Sequence, residues 1–158
     1  MQRLLTSSLL LLTAAAAAGA ATAAEPSPEG YWLTEKKSGI VQIYRCGSDM
    51  LCGKIVWFRI KPESPNPQGL DLKNPDPAQR NRSLCGLTFM SGFKPTTPPG
   101  AWEDGRIYDA ESGDTYHATL QLRTDGTLSL HGYIGIPLLG ASEVWTRDTQ
   151  PVPACPGR

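Results

Sequence analysis

The sequence predicts an all-β protein: a small, closed, antiparallel barrel of about eight strands with one long proline-rich loop. Three observations lead there. The apolar runs beyond residue 30 are short, separated by Gly, Asp, Asn and Ser, and none is phased as an amphipathic helix. One hairpin can be solved residue by residue. The two ends of the body also carry complementary side chains, Trp32 in Gly30-Tyr31-Trp32 and Arg147 in Trp145-Thr146-Arg147. Closing a barrel pairs the first strand with the last, so the guanidinium can lie over the indole in a cation–π contact worth about 0.5–2 kcal/mol.

Residues 1–24 read as a signal peptide. Arg3 gives a positive start, Leu4–Leu12 an apolar centre interrupted by Thr6-Ser7-Ser8, and Ala21-Thr22-Ala23 a small-x-small cleavage site. Cleavage after Ala23 or Ala24 fits equally. An uncleaved anchor is the competing reading, because the apolar stretch nearly reaches spanning length; the alanine-rich end favours cleavage, which leaves no stable membrane insertion. Residues 25–158 then form a single β-barrel domain, periplasmic or secreted, of a size that suits one core. Without Arg3 the chain has 14 basic and 15 acidic side chains. No basic surplus faces a phosphate backbone, so nucleic acid is not an expected partner.

All four cysteines lie in the body. An even count in an exported chain reads as two disulfides, with three connectivities open to the count alone. Cys46 and Cys52 flank a hairpin turn, which favours Cys46–Cys52 with Cys85–Cys155. The second bridge would tie the proline-rich tail to the barrel.

The expected strands are Tyr31–Glu35, Ile40–Arg45, Leu51–Ile60, Leu87–Phe93, Gly105–Asp109, Thr115–Arg123, Leu128–Ile134 and Ser142–Arg147. Tyr116, Ala118, Leu120 and Leu122 share one face of the sixth; Leu128, Leu130, Gly132 and Ile134 share one face of the seventh. A three-residue loop, Thr124-Asp125-Gly126, puts Leu122 opposite Leu128, Leu120 opposite Leu130, Ala118 opposite Gly132 and Tyr116 opposite Ile134. A two-residue loop would set apolar against polar. The longer loop needs a left-handed third residue, and Gly126 stands there. Lys61–Gly100 holds eight of the fourteen prolines. Within it Asp76 can cap a short helix beginning at Pro77 and running to about Arg82.

No catalytic motif, phosphate loop or dinucleotide fingerprint occurs, so no catalytic residue, cofactor or metal is expected. His117 and His131 fall on the polar face as diagonal neighbours and read as solvated strand residues rather than a two-ligand metal site. Asp71, Asn74 and Asp76 lack calcium-loop spacing and read as turn and cap residues.

Gly30-x-Trp32 with Arg147 resembles the lipocalin-like (calycin) barrels, many of which hold small apolar ligands. The whole body is also similar to the exported bacterial family designated domain of unknown function 2147. The matching residues include Cys46-Gly47, Leu51-Cys52-Gly53-Lys54-Ile55, Asp71, Asn74-Pro75-Asp76, Gly105-x-Ile107-Tyr108-Asp109, Gly132-Tyr133-Ile134-Gly135 and Trp145-x-Arg147. That resemblance implies a small periplasmic or secreted domain and carries no activity.

The expected function is therefore binding of a small apolar or amphipathic ligand inside the barrel. Tyr116, Leu120, Leu122, Leu130 and Ile134 would line the site, Ala118, Gly132, Gly135 and Ala141 would leave room, and Lys61–Gly100 would restrict the mouth. The alternative is an envelope protein as partner, bound by a barrel whose interior is filled.

Overall fold

The computed structural model describes residues 27–156, so the leader expected at residues 1–24 lies outside the described residues. Eight strands follow in order: β1 Gly30–Leu33, β2 Gly39–Arg45, β3 Leu51–Phe58, β4 Thr88–Pro95, β5 Ala101–Asp109, β6 Asp114–Leu122, β7 Leu128–Tyr133 and β8 Gly140–Asp148. Each pairs antiparallel with its sequence neighbours, and β8 returns to β1, closing the barrel. In that closing ladder Trp32 lies opposite Arg147, whose guanidinium sits 4.3 Å from the indole centroid.

The β6–β7 hairpin has Leu122 opposite Leu128, Leu120 opposite Leu130 and Ala118 opposite Gly132. Arg123 N–H donates to Thr127 O around the three-residue loop, and Gly126 has φ +80°. The expected Tyr116–Ile134 pair is absent. β7 ends at Tyr133, and Ile134 turns outward, its N–H donating to Leu139 O across a tight connection.

Strict alternation fails at bulges between β2 and β3, in β4 and in β5. Ile40 and Val41 are consecutive and both buried, with a register shift between them. Met90 and Phe93 both point inward although three residues apart, which Gly92 at φ +75° allows. Asp104 at φ +61° and a shift between Trp102 and Gly105 let β5 begin at Ala101 rather than Gly105. The helix expected to reach Arg82 is one 3₁₀ turn, Pro77–Gln79, capped by the Asp76 carboxylate accepting from Ala78 N–H.

The interior is a continuous core. Trp32, Phe93, Met90, Ile43, Leu120, Leu128 and Trp145 are buried, and Val41, Leu51, Ala118 and Leu130 join them. Gly132, expected to leave room, instead seats a large neighbour, as do Gly53 and Gly105. A Cβ on Gly132 would stand 2.9 Å from the Ile107 side chain, one on Gly53 would press on Met90, and one on Gly105 would overlap the Phe93 ring. Gly135 lies in the β7–β8 connection, and Ala141 is an exposed residue opposite Gly132 near the start of β8.

Two substitutions check this packing by denaturant unfolding. Leu120→Ala should destabilise by about 2–5 kcal/mol, as for a buried leucine whose surroundings cannot collapse. Arg147→Ala should lose about 1–2 kcal/mol through the lost stacking and stem packing. A loss near zero at Leu120 would mean a loose interior.

Candidate functional site

The two barrel ends differ. At one, the chain entering β1 folds across the opening. Pro28 is buried, and its carbonyl accepts from Trp32 Nε1 at 2.7 Å. Arg147 donates through its two terminal nitrogens to Glu29 O at 2.9 Å and Ser27 O at 2.8 Å, so one side chain holds both the indole and the crossing segment. Arg45 pairs with the Glu29 carboxylate at 2.6 Å, and the Cys46–Cys52 bridge pins the neighbouring turn. A rim hollow of about 240 Å³ beside Trp102, Leu51 and Pro99 belongs to this closed end, and a second lies on the outer wall beside Leu122 and Thr124.

At the other end several inner-wall side chains are only half-buried. Ile107 and Tyr116 face each other across β5 and β6, both half-buried. Ile55 lies opposite the core residue Val41 and Trp57 opposite Ile40, on either side of the β2–β3 bulge, and both are half-buried. On β8, Ala141 is opposite Gly132 and Glu143 opposite Leu130, so a carboxylate stands on the inner wall and accepts from Trp145 Nε1 at 3.0 Å. Of these side chains, Ile107 packs directly against the core that includes Met90, Ala118 and Leu130.

Of the expected lining residues, the structure brings Leu120, Leu122 and Leu130 onto one face, but as core. Leu120 is 1% exposed and Leu130 7%, while Leu122 lies toward the closed end. Tyr116 belongs to the open rim. Ile134 is 66% exposed on the β7–β8 connection and lines nothing, because the strand ends one residue before it.

The long connection also differs from expectation. β4 begins at Thr88, so residues 59–87 are the excursion; residues 96–100 turn at the closed end. The excursion is strapped rather than loose. Leu70 and Ser83 form an isolated bridge, Asp71 N–H donates to Arg82 O, and Cys85–Cys155 fastens it to the tail. Its anchor is the buried Asp71 carboxylate. One oxygen accepts from Tyr108 OH at 2.6 Å; the other accepts from Asn74 Nδ2 at 2.8 Å and Arg82 Nε at 2.7 Å. Burial raises the Asp71 pKa, but these hydrogen bonds and the Arg82 charge outweigh it and hold the carboxyl below its usual range. Burial, then the Asp71 hydrogen bond and charge, push the Tyr108 phenol up to about 12.

This network was only half legible in the sequence. Asp71, Asn74, Asp76 and Tyr108 all occur in the quoted motifs, yet no local spacing joins a loop carboxylate to a phenol on β5. The Asn74 side-chain oxygen accepts from Asp76 N–H, and Asp76 caps the 3₁₀ turn, so these oxygens serve the loop itself. His117 and His131 occupy the expected register, but Tyr133 stacks on both, at 5.5 and 5.8 Å. His131 spends both ring nitrogens on neighbours: Nε2 donates to Pro137 O at 2.7 Å and Nδ1 bonds Ser142 Oγ at 2.8 Å. Among the described residues no group of three or more His, Cys, Asp or Glu is placed to hold a metal ion.

Residues 30–147 match the family described as "Uncharacterized protein conserved in bacteria (DUF2147)". The chain belongs to that family. No curated protein matches it. Among solved structures it is similar to protein HP1028 from the human pathogen Helicobacter pylori, described as belonging to the lipocalin family. The TM-score is 0.66 at 20% identity, covering 77% of this chain and 83% of that one. At that identity the likeness shows the fold, a lipocalin-like barrel.

The anchor makes the excursion pH-sensitive at both extremes. Asp71, with a depressed folded pKa, contributes stability above the ordinary value of 3.8 that is lost as pH falls below it. Tyr108, with a raised folded pKa, contributes below its ordinary 10.0, and that part is lost as pH climbs through about 12. Hydrogen exchange of residues 66–84 should therefore quicken at both limits. Tyr108→Phe should remove the alkaline limb, and Asp71→Ala should loosen the segment by about 1–3 kcal/mol at neutral pH. Identical pH profiles in wild type and Tyr108→Phe would contradict this assignment.

Proposed function

From the family and the asymmetry of the barrel ends, we propose that this chain is an exported binding module, periplasmic or secreted, that takes a small amphipathic molecule at its open rim. The apolar part of the ligand would rest against Ile55, Trp57, Ile107 and Tyr116, and Glu143 would meet a polar or cationic end. Leu120, Leu122 and Leu130 would serve as wall and floor rather than as contacts. The observation that carries this reading is that Ile55, Trp57, Ile107 and Tyr116 stay half-buried toward the end away from the chain's entry, while the core below is filled. Few convergent polar groups in an apolar hollow are what small-ligand sites use for orientation. Two disulfides support export, as does the expected leader.

A second reading has its own support. A filled barrel is also what an envelope protein-interaction module needs, since such a protein uses its surface and leaves the interior to stability.

Titration with an amphipathic fluorescent probe separates the two. Rim binding should saturate at about one probe per chain. Ala141→Trp, at an exposed inner-wall position, should weaken it severalfold with an unchanged fold. Leu122→Trp, toward the closed end, should leave probe affinity alone. No saturable binding, or binding indifferent to Ala141→Trp, would favour the interaction module.

A further inference from the structure

Six large hydrophobic residues are exposed in the described chain, and four of them share one turn: Ile134 at 66%, Ile136 at 55%, Leu138 at 87% and Leu139 at 67%. This Ile134–Leu139 connection joins β7 to β8 at the open end. We propose that it is a lipid-docking tip, which inserts its aliphatic side chains into the surface of a bilayer and holds the open rim against it.

Three features of the turn select a bilayer over a folded partner. The tip is aliphatic throughout, and no charged residue occurs between His131 and Glu143. A protein interface would need directional contacts, typically about one hydrogen bond per 100–200 Å² and aromatic or arginine anchors; the tip offers neither. Polarity then rises in steps away from the tip. Tyr133 stacks with His131 and His117 at its base, and Arg106 lies opposite His117 on β5. Apolar end, amphipathic ring belt, then charge is the order of a membrane surface from hydrocarbon to water. Finally, the turn is built before it docks. Ile134 N–H donates to Leu139 O, Leu139 N–H to Ile136 O, and His131 Nε2 to Pro137 O. Backbone groups already bonded within the protein are those that hydrocarbon penalises least.

Charge plays a small part. Lys36 and Lys37 are exposed on the β1–β2 turn at the same barrel end, but Glu35 stands beside them. Association should therefore resist salt. The inference rests on the exposed turn alone and holds whether or not the rim takes a small ligand.

Flotation of the processed protein with phosphatidylcholine vesicles, with and without added phosphatidylglycerol, tests it. Wild type should float with both at low and high salt. Leu138→Asp should lower partitioning by about tenfold or more, because an acidic residue is strongly disfavoured below the headgroups. Leu138→Trp should float, with its added emission shifted to the blue and quenched by brominated lipid. The position is almost fully exposed, and an unchanged thermal midpoint would verify that each variant folds. Folded wild type that stays at the bottom overturns the proposal, as does equal flotation of Leu138→Asp. Flotation confined to anionic vesicles and abolished by salt overturns it too. A dimer in solution that Leu138→Asp dissociates, with no flotation, would make the tip a surface for a second copy instead. Probe titration in the same samples reports separately on the rim, so loss of one activity does not mimic loss of the other.

Discussion

The fold depends on one pairing, β1 against β8, and on the side chain that fastens it. A sheet of eight strands becomes a barrel only when its edges meet, and closure is what removes exposed edges altogether. Here β1 is the shortest strand, Gly30–Leu33, so the ladder alone gives little hold. Arg147 supplies the rest. It stacks on Trp32, bonds Ser27 O and Glu29 O, and so ties the first strand, the last strand and the segment that shuts one end. The asymmetry of the two ends follows from that, since the chain's own entry folds across one of them.

The interior is organised by glycines that receive neighbouring side chains. Gly53 accommodates Met90, Gly105 accommodates Phe93 and Gly132 accommodates Ile107. In a barrel this small the wall must thin wherever a large residue crosses it, as protein interiors leave few voids. The filled core then pushes every candidate contact to the rim, where Ile55, Trp57, Ile107 and Tyr116 remain half-buried. Bulges at Ile40–Val41 and around Gly92 re-aim side chains toward that core, so the irregularities belong to its packing.

Much of this was legible in the chain. The eight strands, the β6–β7 register and the Trp32–Arg147 closure could be read because period-two patterning and turn chemistry are local signals. What was misread has a common cause. Gly132 looked like vacant space because a sequence does not show which side chain on another strand will fill it. Ile134 continued the apolar alternation of β7, yet alternation cannot announce that the ladder stops at Tyr133. The Asp71–Tyr108 contact joins residues 37 apart in the chain, through geometry that neither segment encodes alone. The bulge at Asp104 hid the first part of β5 for the same reason: a left-handed aspartate reads as a turn.

The central claim is that the deep barrel is structure and the open rim is where binding occurs. Chemical-shift mapping during titration with an amphipathic probe tests it most directly. Rim binding predicts shifts concentrated at Ile55, Trp57, Ile107, Tyr116 and Glu143, with the indole of Trp32 and the methyls of Leu128 unmoved. Large shifts at Trp32, Phe93 and Leu128, with the rim silent, would contradict it and place the site inside the barrel.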